Sequence, residues 1–397
     1  MNSAATKKEI LRGNNSTPYT IGEFWTAKQR QASSLHEISY RACFKPQLPR
    51  YFIERYSNEG DIVYDPFMGR GTTVIEAALL KRNVIGNDVN PLSRILAEPR
   101  LDIPEVGEIE ERLAAITFSN KAKANIDLSM FYHPETEAEI VSLQKYLAKQ
   151  KKERKEDRVD RWIRMVATNR LTGHSSGFFS VYTLPPNQAT QPKSQIRINR
   201  IRKQTPEYRN IKNIILKKTR TLVKRVSGQH RENLAAIRPQ AIFLSNDARQ
   251  TSKIKSRTVQ LTVTSPPFLN IVQYSNDNWL RCWFNGIDAN AIAPHITMSR
   301  TIDEWSLVMG GVFNELYRVT RHSGYVAFEV GELRNGTVKL EEHVIPLGEH
   351  AGFRCEEIFI NKQKFTKTAN IWGIENNNSG TNTNRIMLFR KQSDDVS

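Results

Sequence analysis

The spacing of apolar and polar residues near the start of the chain predicts a strand, a turn, a helix and a second strand. Residues 62–64 form a short apolar run, and residues 74–80 place apolar side chains at helical spacing. Residues 65–73 lie between them and include two glycines, and a second apolar run follows at 83–88. Two strands joined by a helix form a βαβ unit, so we expect a parallel pair with the glycine turn at its carboxyl edge.

Charged helices replace this pattern between residues 102 and 240. Helical spacing is predicted over 106–116, 134–149 and 158–166, and a basic helix over 208–226. The rest of the segment contains a nonhelical stretch and a run that alternates basic and apolar residues, at 173–188 and 193–203.

Strand signals resume after residue 240. The predicted strands are 241–244, 259–263, 324–330, 352–360 and 385–389, and the predicted helices are 279–284 and 302–318. Strands alternating with helices on both sides of an insertion predict an α/β fold with one doubly wound sheet, interrupted by a second domain. Because the start of the chain is polar and has little periodicity, we expect a loose arm there. The predicted parts are the arm at 1–33, the first part of the sheet domain at 34–102, the insertion at 103–240 and the second part of the sheet domain at 241–397.

The charge of the chain is concentrated in one segment. Lysines and arginines number 58 against 41 aspartates and glutamates, a formal net charge of +17. Residues 121–260 contain 30 of the basic residues and 11 of the acidic ones, so this segment alone carries +19. Such an excess predicts a polyanionic partner, either nucleic acid or an acidic membrane surface. Phe178, Phe179 and Tyr182, interleaved with cations and amides, favour nucleic acid over a merely solvated basic face.

The cysteines and the apolar runs narrow the setting further. Cys43, Cys282 and Cys355 lie far apart and lack the spacing of metal ligands, so we expect neither a disulfide framework nor a metal site. No apolar run approaches the ~20 residues of a membrane span, and the N-terminus lacks the layout of a signal peptide. We therefore expect a cytoplasmic protein without a membrane partner.

The glycine turn has the composition of a ligand-binding turn. Its glycines allow a ligand to approach the backbone, and the following helix directs its free N–H groups to the same place. Asp88 ends the second strand, where a carboxylate can accept hydrogen bonds from both hydroxyls of a ribose. The alternatives are a plain structural turn for the glycines and a helix cap for Asp88.

A second motif, Thr264-Ser265-Pro266-Pro267-Phe268, follows the apolar run at 259–263. Two consecutive prolines remove two backbone donors and hold the chain in an extended bend, which fixes the direction of the carbonyls before them. The Ser265 side chain and a carbonyl of Ser265 or Pro266 form an acceptor pair beside the aromatic face of Phe268. Such a corner can hold the exocyclic amino group of a flipped base while the ring of that base stacks on the phenyl group.

The two motifs together resemble the amino-methylating DNA methyltransferases of restriction–modification systems. The resemblance covers residues 40–102 and 241–390, and the Ser-Pro-Pro-aromatic order is typical of the cytosine-N4 enzymes. It implies a Rossmann-like, S-adenosylmethionine-dependent methyltransferase sheet with the basic insertion as the target-recognition region. One departure concerns this insertion, which interrupts the sheet between the strand of Asp88 and the strand that ends near Asp247.

The resemblance also implies roles for individual residues. Asp88 would take the ribose hydroxyls of S-adenosyl-L-methionine, and Asp247 would take its adenine amino group. Lys45 belongs to a segment that resembles the one closing over the amino-acid end of the cofactor. The catalytic corner would be formed by Ser265, Pro266, Pro267 and Phe268. The methionine part of the cofactor would be held by Asp65, Pro66, Phe67, Gly69, Gly71, Thr72 and Thr73.

Trp279 and Trp283 are four residues apart on one predicted helix. They could wall the cofactor or base pocket, but packing in the core is the favoured interpretation.

The implied activity is methyl transfer to the N4 amino group of a flipped cytosine in double-stranded DNA. A cognate restriction endonuclease, acting separately, is the candidate protein partner, and protection of host DNA is the candidate purpose. Three alternatives remain open: adenine-N6 methylation of DNA, guanine-N2 methylation of RNA, and DNA binding by a vestigial methylase fold without catalysis.

Overall fold

The computed structural model describes residues 6–12, 15–22, 24, 32–40, 43–184, 190–267, 277–292, 299, 301–331, 339–362 and 383–392. Its strands are β1 Thr6–Arg12, β2 Asn15–Gly22, β3 Ile62–Asp65, β4 Asn83–Asn87, β5 Ile242–Leu244, β6 Val259–Thr264, β7 Thr320–Val330, β8 Phe353–Lys362 and β9 Thr383–Lys391. Its α-helices are α1 Gln47–Tyr56, α2 Thr72–Leu79, α3 Leu92–Ala97, α4 Val106–Ala115, α5 Pro134–Lys152, α6 Arg158–Arg170, α7 Pro192–Arg202, α8 Ile211–Val223, α9 Gly228–Ile237, α10 Trp279–Asn285, α11 Ala289–Ile292, α12 Ile302–Val319 and α13 Leu340–His350.

All nine strands belong to one sheet, in the order β1-β2-β8-β9-β7-β6-β3-β4-β5. Strands β5, β4, β3, β6 and β7 are parallel, and β9 is antiparallel to β7. The chain runs outward from β3 to β4 and β5 on one side and then returns to β6 on the other side. The carboxyl ends of β3 and β6 therefore flank the point where the strand order reverses, which is where open α/β sheets bind ligands.

Burial explains why the central strands and the first helix form here. Every residue of β6 is buried, as is expected of a parallel strand covered on both faces. All eight residues of α2 are buried as well, so this helix lies between the sheet and another layer.

Helices cover both faces of the sheet, which confirms the predicted doubly wound α/β fold. One hydrophobic cluster contains residues of α12 and α13 with one face of the sheet. A second cluster contains α1 and α2 together with residues of α4, α5, α6, α8 and α9. The helices of the insertion thus share this second cluster with the sheet rather than enclosing a core of their own.

The N-terminal residues differ from the expected loose arm. Strands β1 and β2 form an antiparallel hairpin, and β2 pairs in parallel with β8 through Tyr19, Thr20, Ile21 and Gly22. Tyr19 and Ile21 pack against the cluster that contains α12. Because the hairpin is held by backbone pairing with the sheet and few of its side chains are apolar, its sequence has almost no strand signal.

The other predicted elements are present with small shifts at their ends. The predicted helix 302–318 corresponds to α12, and the predicted 279–284 corresponds to α10. Residues 193–203 form α7. Helices α9 and α13 had no sequence prediction. Within the described part of the chain, no helix combines the length and the apolar character needed to cross a membrane.

Candidate active site

An open pocket lies at the carboxyl edge of the sheet, where β3, β4, β5 and β6 end. It encloses about 930 Å³ of empty space, including the part open to solvent. Its polar lining comes from the strand ends, and Val308 and Val312 of α12 form an apolar side. The pocket therefore offers acceptors at one end and an apolar wall at the other.

The glycine turn closes on the carboxylate that follows the second strand. The Gly69 N–H donates to Asp88 Oδ2 over 3.0 Å, and the Asn90 N–H donates to Asp88 Oδ1 over 2.9 Å. Burial raises the pKa of Asp88, and these two backbone donors oppose that rise. Asp88 is thus oriented by the turn and faces the pocket, as its predicted role at a ribose requires.

The two glycines of the turn serve different purposes. Both have positive φ, +49° at Gly69 and +78° at Gly71. A Cβ on Gly71 would lie 2.7 Å from the Cβ of Ala97, so this glycine permits close packing of the turn on α3. Gly69 lines the pocket and Gly71 does not.

Asp65 is buried beneath the pocket and is held by three groups. Thr264 Oγ1 donates to Asp65 Oδ1 over 2.7 Å, and the Phe67 N–H donates to the same oxygen over 3.1 Å. Burial raises the pKa of Asp65 to about 7, although hydrogen bonds from Thr264, Phe67 and Thr73 favour the charged form. Thr73 also donates to the Val263 carbonyl over 3.0 Å, which ties α2 to β6.

The proline corner is positioned by its neighbours on both sides. Thr264, the residue before Ser265, bonds to Asp65 across 199 positions of sequence. On the other side, Trp305 Nε1 of α12 donates to the Pro267 carbonyl over 2.9 Å. Ser265 is half-buried and lines the pocket together with Pro267. Phe268 lies outside the described residues, so its predicted stacking role stays a prediction.

An asparagine that the sequence analysis did not single out joins three strand ends. Asn87 Nδ2 donates to the carbonyls of Pro66 (3.2 Å) and Asn246 (2.9 Å), and Asn87 Oδ1 accepts from the Asn246 N–H (3.0 Å). The ends of β3, β4 and β5 are therefore fixed relative to one another. The only sequence signal was its position one residue before Asp88.

Asp247 follows β5 and lines the same pocket, but its carboxylate is engaged. Arg249 Nε and Nη2 donate to it, with Nη2 2.6 Å from Oδ2. Both side chains are about half-exposed, so solvent screens this pair. An adenine amino group would reach Asp247 from the pocket side only by sharing the carboxylate with Arg249.

The predicted site residues divide into those that line the pocket and those that do not. The first group comprises Asp65, Pro66, Phe67, Gly69, Thr72, Asp88, Asp247, Ser265 and Pro267. The second comprises Lys45, Gly71, Thr73 and Pro266. Phe44, which belongs to the same predicted segment as Lys45, also lines the pocket. Lining residues that were not predicted are Tyr40, Cys43, Met68, Asn87, Val89, Asn90, Asn246, Ala248, Val308 and Val312.

The tryptophan pair of α10 packs against the helical insertion. Trp279 Nε1 donates to the Thr190 carbonyl over 3.3 Å, and Trp283 Nε1 donates to Asn125 Oδ1 over 2.9 Å. Both are half-buried against the larger hydrophobic cluster, and neither lines the pocket. The favoured interpretation of core packing agrees with this arrangement.

The lining suits an extended ligand with a hydrogen-bonding end and a flat ring. Asp65 and Asp88 supply carboxyl oxygens at the glycine turn, while Phe67, Val308 and Val312 supply apolar surface. S-adenosyl-L-methionine has a cationic sulfonium and amino group, a ribose and a purine, so its chemistry fits this donor set. Among the described residues, no group of three or more histidines, cysteines, aspartates or glutamates is arranged to hold a metal ion.

Residues 2–95 match the sequence model of a family described as DNA methylase. Among curated relatives, Type II methyltransferase M.MjaII of Methanocaldococcus jannaschii is 35% identical over 98 residues, which are 24% of this chain and 18% of that protein. Orphan methyltransferase M.BamHII of Bacillus amyloliquefaciens is 44% identical over 73 residues, 18% of this chain and 28% of the relative. Type II methyltransferase M1.MboII of Moraxella bovis is 36% identical over 96 residues, 22% and 37% of the two chains. The matched segments thus span well under half the length of these relatives.

Among solved structures, a putative DNA modification methylase of Thermus thermophilus in complex with S-adenosyl-L-methionine aligns with 38% of this chain and 56% of its own, at 21% identity and a TM-score of 0.23. A Methanosarcina mazei protein described as an S-adenosylmethionine-dependent methyltransferase aligns with 86% of this chain and 97% of its own, at 10% identity and a TM-score of 0.34.

Proposed function

We propose that this chain, whose residues 2–95 match the DNA methylase family, is a site-specific DNA methyltransferase that modifies the N4 amino group of cytosine. The predicted resemblance to DNA methyltransferases of restriction–modification type is confirmed by that match and by the curated relatives, and with it S-adenosylmethionine as the methyl donor. The observation that carries the finer proposal is the placement of the Ser265-Pro266-Pro267 corner on the wall of the cofactor pocket.

The corner and the cofactor turn form one connected structure. Asp65 begins the turn and accepts a hydrogen bond from Thr264, the last residue of β6. This bond fixes the end of β6, which Ser265 directly follows. An amino group held at Ser265 therefore lies beside the ligand held at Gly69 and Asp88. Juxtaposition of this kind converts a bimolecular methyl transfer into a step between oriented groups.

When bound, S-adenosylmethionine supplies a methyl group on a sulfonium whose departure leaves a neutral thioether. The Ser265 side chain and a corner carbonyl accept hydrogen bonds from the two N–H groups of the target amine. This arrangement directs the lone pair of the amine into the pocket. That lone pair forms the new N–C bond while the C–S electrons stay with sulfur, and the displaced amino proton leaves to solvent. Trp305 holds the corner in place through its bond to the Pro267 carbonyl.

Cytosine is proposed because a serine precedes the two prolines, as in the enzymes that this motif resembles. The alternatives differ in product and substrate. We would therefore express the protein in a host that lacks cytosine-N4 methylation, digest the host DNA and identify the modified nucleosides by mass spectrometry. N4-methylcytosine supports the proposal, N6-methyladenine overturns the choice of base, and methyl transfer only to transfer RNA overturns the choice of nucleic acid.

The role of Ser265 can be tested by Ser265→Ala. We expect binding of S-adenosylmethionine and DNA to persist while turnover falls by about a hundredfold or more, because the hydroxyl acts only at the reacting amino group. Ser256→Ala is a matched control, since Ser256 precedes the opposite end of β6 and bonds to Arg318. Turnover of Ser265→Ala equal to that of the control would remove Ser265 from the mechanism.

The biological setting follows as part of the same proposal. Methylation at a fixed site in cytoplasmic DNA would protect that DNA from a separately acting restriction endonuclease of the same specificity. Sequencing of host DNA with a method that detects modified bases gives the site, and resistance of that DNA to an endonuclease cutting the same site tests the protection.

A further inference from the structure

A basic cleft lies beside the cofactor pocket, with residues 32–40 and Pro46 on one side and helices α6 and α8 of the insertion on the other. Arg170, Lys218 and Arg225 line it from the insertion side, and Glu37 is the carboxylate that lines it. The cleft encloses about 1400 Å³ of empty space, including the part open to solvent. It is therefore large enough for more than a single side chain or ion.

Arg170 is a buried cation in this cleft whose described partners are all neutral. Only 8% of the residue is exposed, and its guanidinium lies 3.9 Å from the centre of the Phe178 ring. Its Nε and Nη2 donate to the carbonyl and the side-chain oxygen of Asn169. No carboxylate lies within ion-pair distance of Arg170 in the described part of the chain, and burial lowers its pKa to about 9.

Lys218 is the second buried cation, and its counter-charge is weak. Its side chain is 10% exposed, and its nearest carboxylate is Glu37, with 3.7 Å between Nζ and Oε2. Glu37 itself is 44% exposed, so water screens much of this attraction. Burial lowers the pKa of Lys218 to about 8, and the charge of Arg170 adds to that effect. An anion entering the cleft would relieve both unfavourable contributions.

The cleft and the cofactor pocket share a wall. Tyr40 lines both cavities, and its ring lies 3.4 Å from the position of a Cβ on Gly69. Arg70, the next residue of the glycine turn, lines the cleft, and its guanidinium donates to the carbonyls of His36 and Ile38. A nucleotide whose base occupies the pocket near Ser265 would thus have this cleft beside it as a cationic surface for its backbone.

We propose that this cleft binds a backbone phosphate of the DNA strand whose base enters the pocket. The inference rests on the proposed function and assigns a place for the substrate that the active site leaves open. A phosphodiester is a compact anion with two free oxygens, and it suits a guanidinium and an ammonium that converge from neighbouring helices.

Lys218→Gln tests the proposal, with Lys217→Gln as the matched control. Lys217 is the preceding residue of α8 and is exposed outside the cleft. We expect Lys218→Gln to weaken binding to fragments of unmodified plasmid DNA about fivefold to tenfold and to reduce the slope of log affinity against log salt by about one. The KM for DNA should rise in parallel while affinity for S-adenosylmethionine stays unchanged. Equal salt slopes for the two variants would overturn the proposal.

Glu37→Gln provides a second test, in which DNA affinity should rise rather than fall. This variant does not require removal of a buried charge. Loss of this exposed carboxylate leaves the cleft more positive, so DNA binding should tighten about threefold, with a steeper salt dependence. A purely structural role of the Lys218–Glu37 pair predicts loss of stability and no gain in DNA affinity. Unchanged or weaker DNA binding by folded Glu37→Gln would contradict a phosphate site.

The source of the phosphate is distinguished by competition. DNA fragments should compete for the cleft at concentrations where inorganic phosphate and structured RNA do not. Competition by free phosphate at equal concentration would reassign the cleft to a small anion, and preference for RNA would reassign it to another polymer.

The wild-type chain separates this inference from the proposed function. If the wild-type chain methylates DNA but the two lysine variants have equal salt slopes, only the inference about the cleft is wrong. If DNA binding depends on Lys218 but no DNA is methylated, only the proposed function is wrong.

Discussion

At the scale of single residues, the buried carboxyl of Asp65 makes stability depend on pH. Its folded-state pKa of about 7 lies above the ordinary value of 3.8, so the folded chain holds this proton over a range in which the unfolded chain releases it. Stability should therefore fall as pH rises from about 4 to 7, by up to about 4 kcal/mol from this group. The difference in unfolding midpoint between wild type and Asp65→Asn, measured in urea from pH 5 to pH 8, should shrink or change sign. A difference independent of pH would contradict this, and exposed Asp288→Asn is the control.

Gly71→Ala should destabilise the chain through local crowding. The new methyl group would meet Ala97, and alanine at φ +78° is strained, so we expect a loss of about 2 kcal/mol. Gly107→Ala is the matched control, because a Cβ at this position of α4 would have nothing within 4 Å. Thermal unfolding measures both, and equal midpoints for the two variants would refute the packing role of Gly71.

The residues of the glycine turn show how far a sequence motif assigns individual contacts. Asp88 faces the pocket and is oriented by the Gly69 N–H, as its place at the end of the second strand predicted. Gly71 and Thr73 belong to the same motif but contact Ala97 and the Val263 carbonyl instead. Motif residues thus act as a unit, in which some face the ligand pocket and others hold the turn.

At the scale of elements, prediction succeeded where side chains pack in a regular pattern and failed where other forces decide. Helix α12 has a broad apolar face and was located within a residue. Helix α7 was not recognised as helical, because its apolar positions are not on one face and Ile196 and Ile201 are exposed. The sequence predicts a loose arm where the β1–β2 hairpin lies, because backbone pairing with β8 holds the hairpin and a strand partner some 340 residues away leaves no local signal.

Helix α12 should influence turnover through Trp305. Trp305→Phe removes the donor to the Pro267 carbonyl but keeps most of the buried ring, so the corner loses one fixed point. We expect kcat to fall about tenfold while the affinity for S-adenosylmethionine stays within about twofold. Trp283→Phe is the control, since it loses a similar bond to Asn125 far from the corner. Equal kcat for both variants would show that the corner is rigid without Trp305.

At the scale of the whole molecule, the insertion and the sheet should unfold together. Helices of the insertion share one hydrophobic cluster with α1, α2 and the sheet, and α9 packs directly on α2. A shared core predicts one calorimetric transition, which S-adenosylmethionine should shift upward as a whole. Two resolved transitions, of which the cofactor shifts only one, would show that the insertion is an independent domain.

The adjacency of β3 and β6 also sets an order of events during synthesis. The ribosome releases the glycine turn early and the entire basic insertion next, whereas β6 and the Ser265 corner follow about two hundred residues after Asp65. Until β6 emerges, β3 lacks a partner on the side away from β4, and Asp65 has no Thr264 to bond with. The nascent chain thus carries most of its cations before it has a pocket, and the two sides of that pocket come together only when β6 pairs with β3.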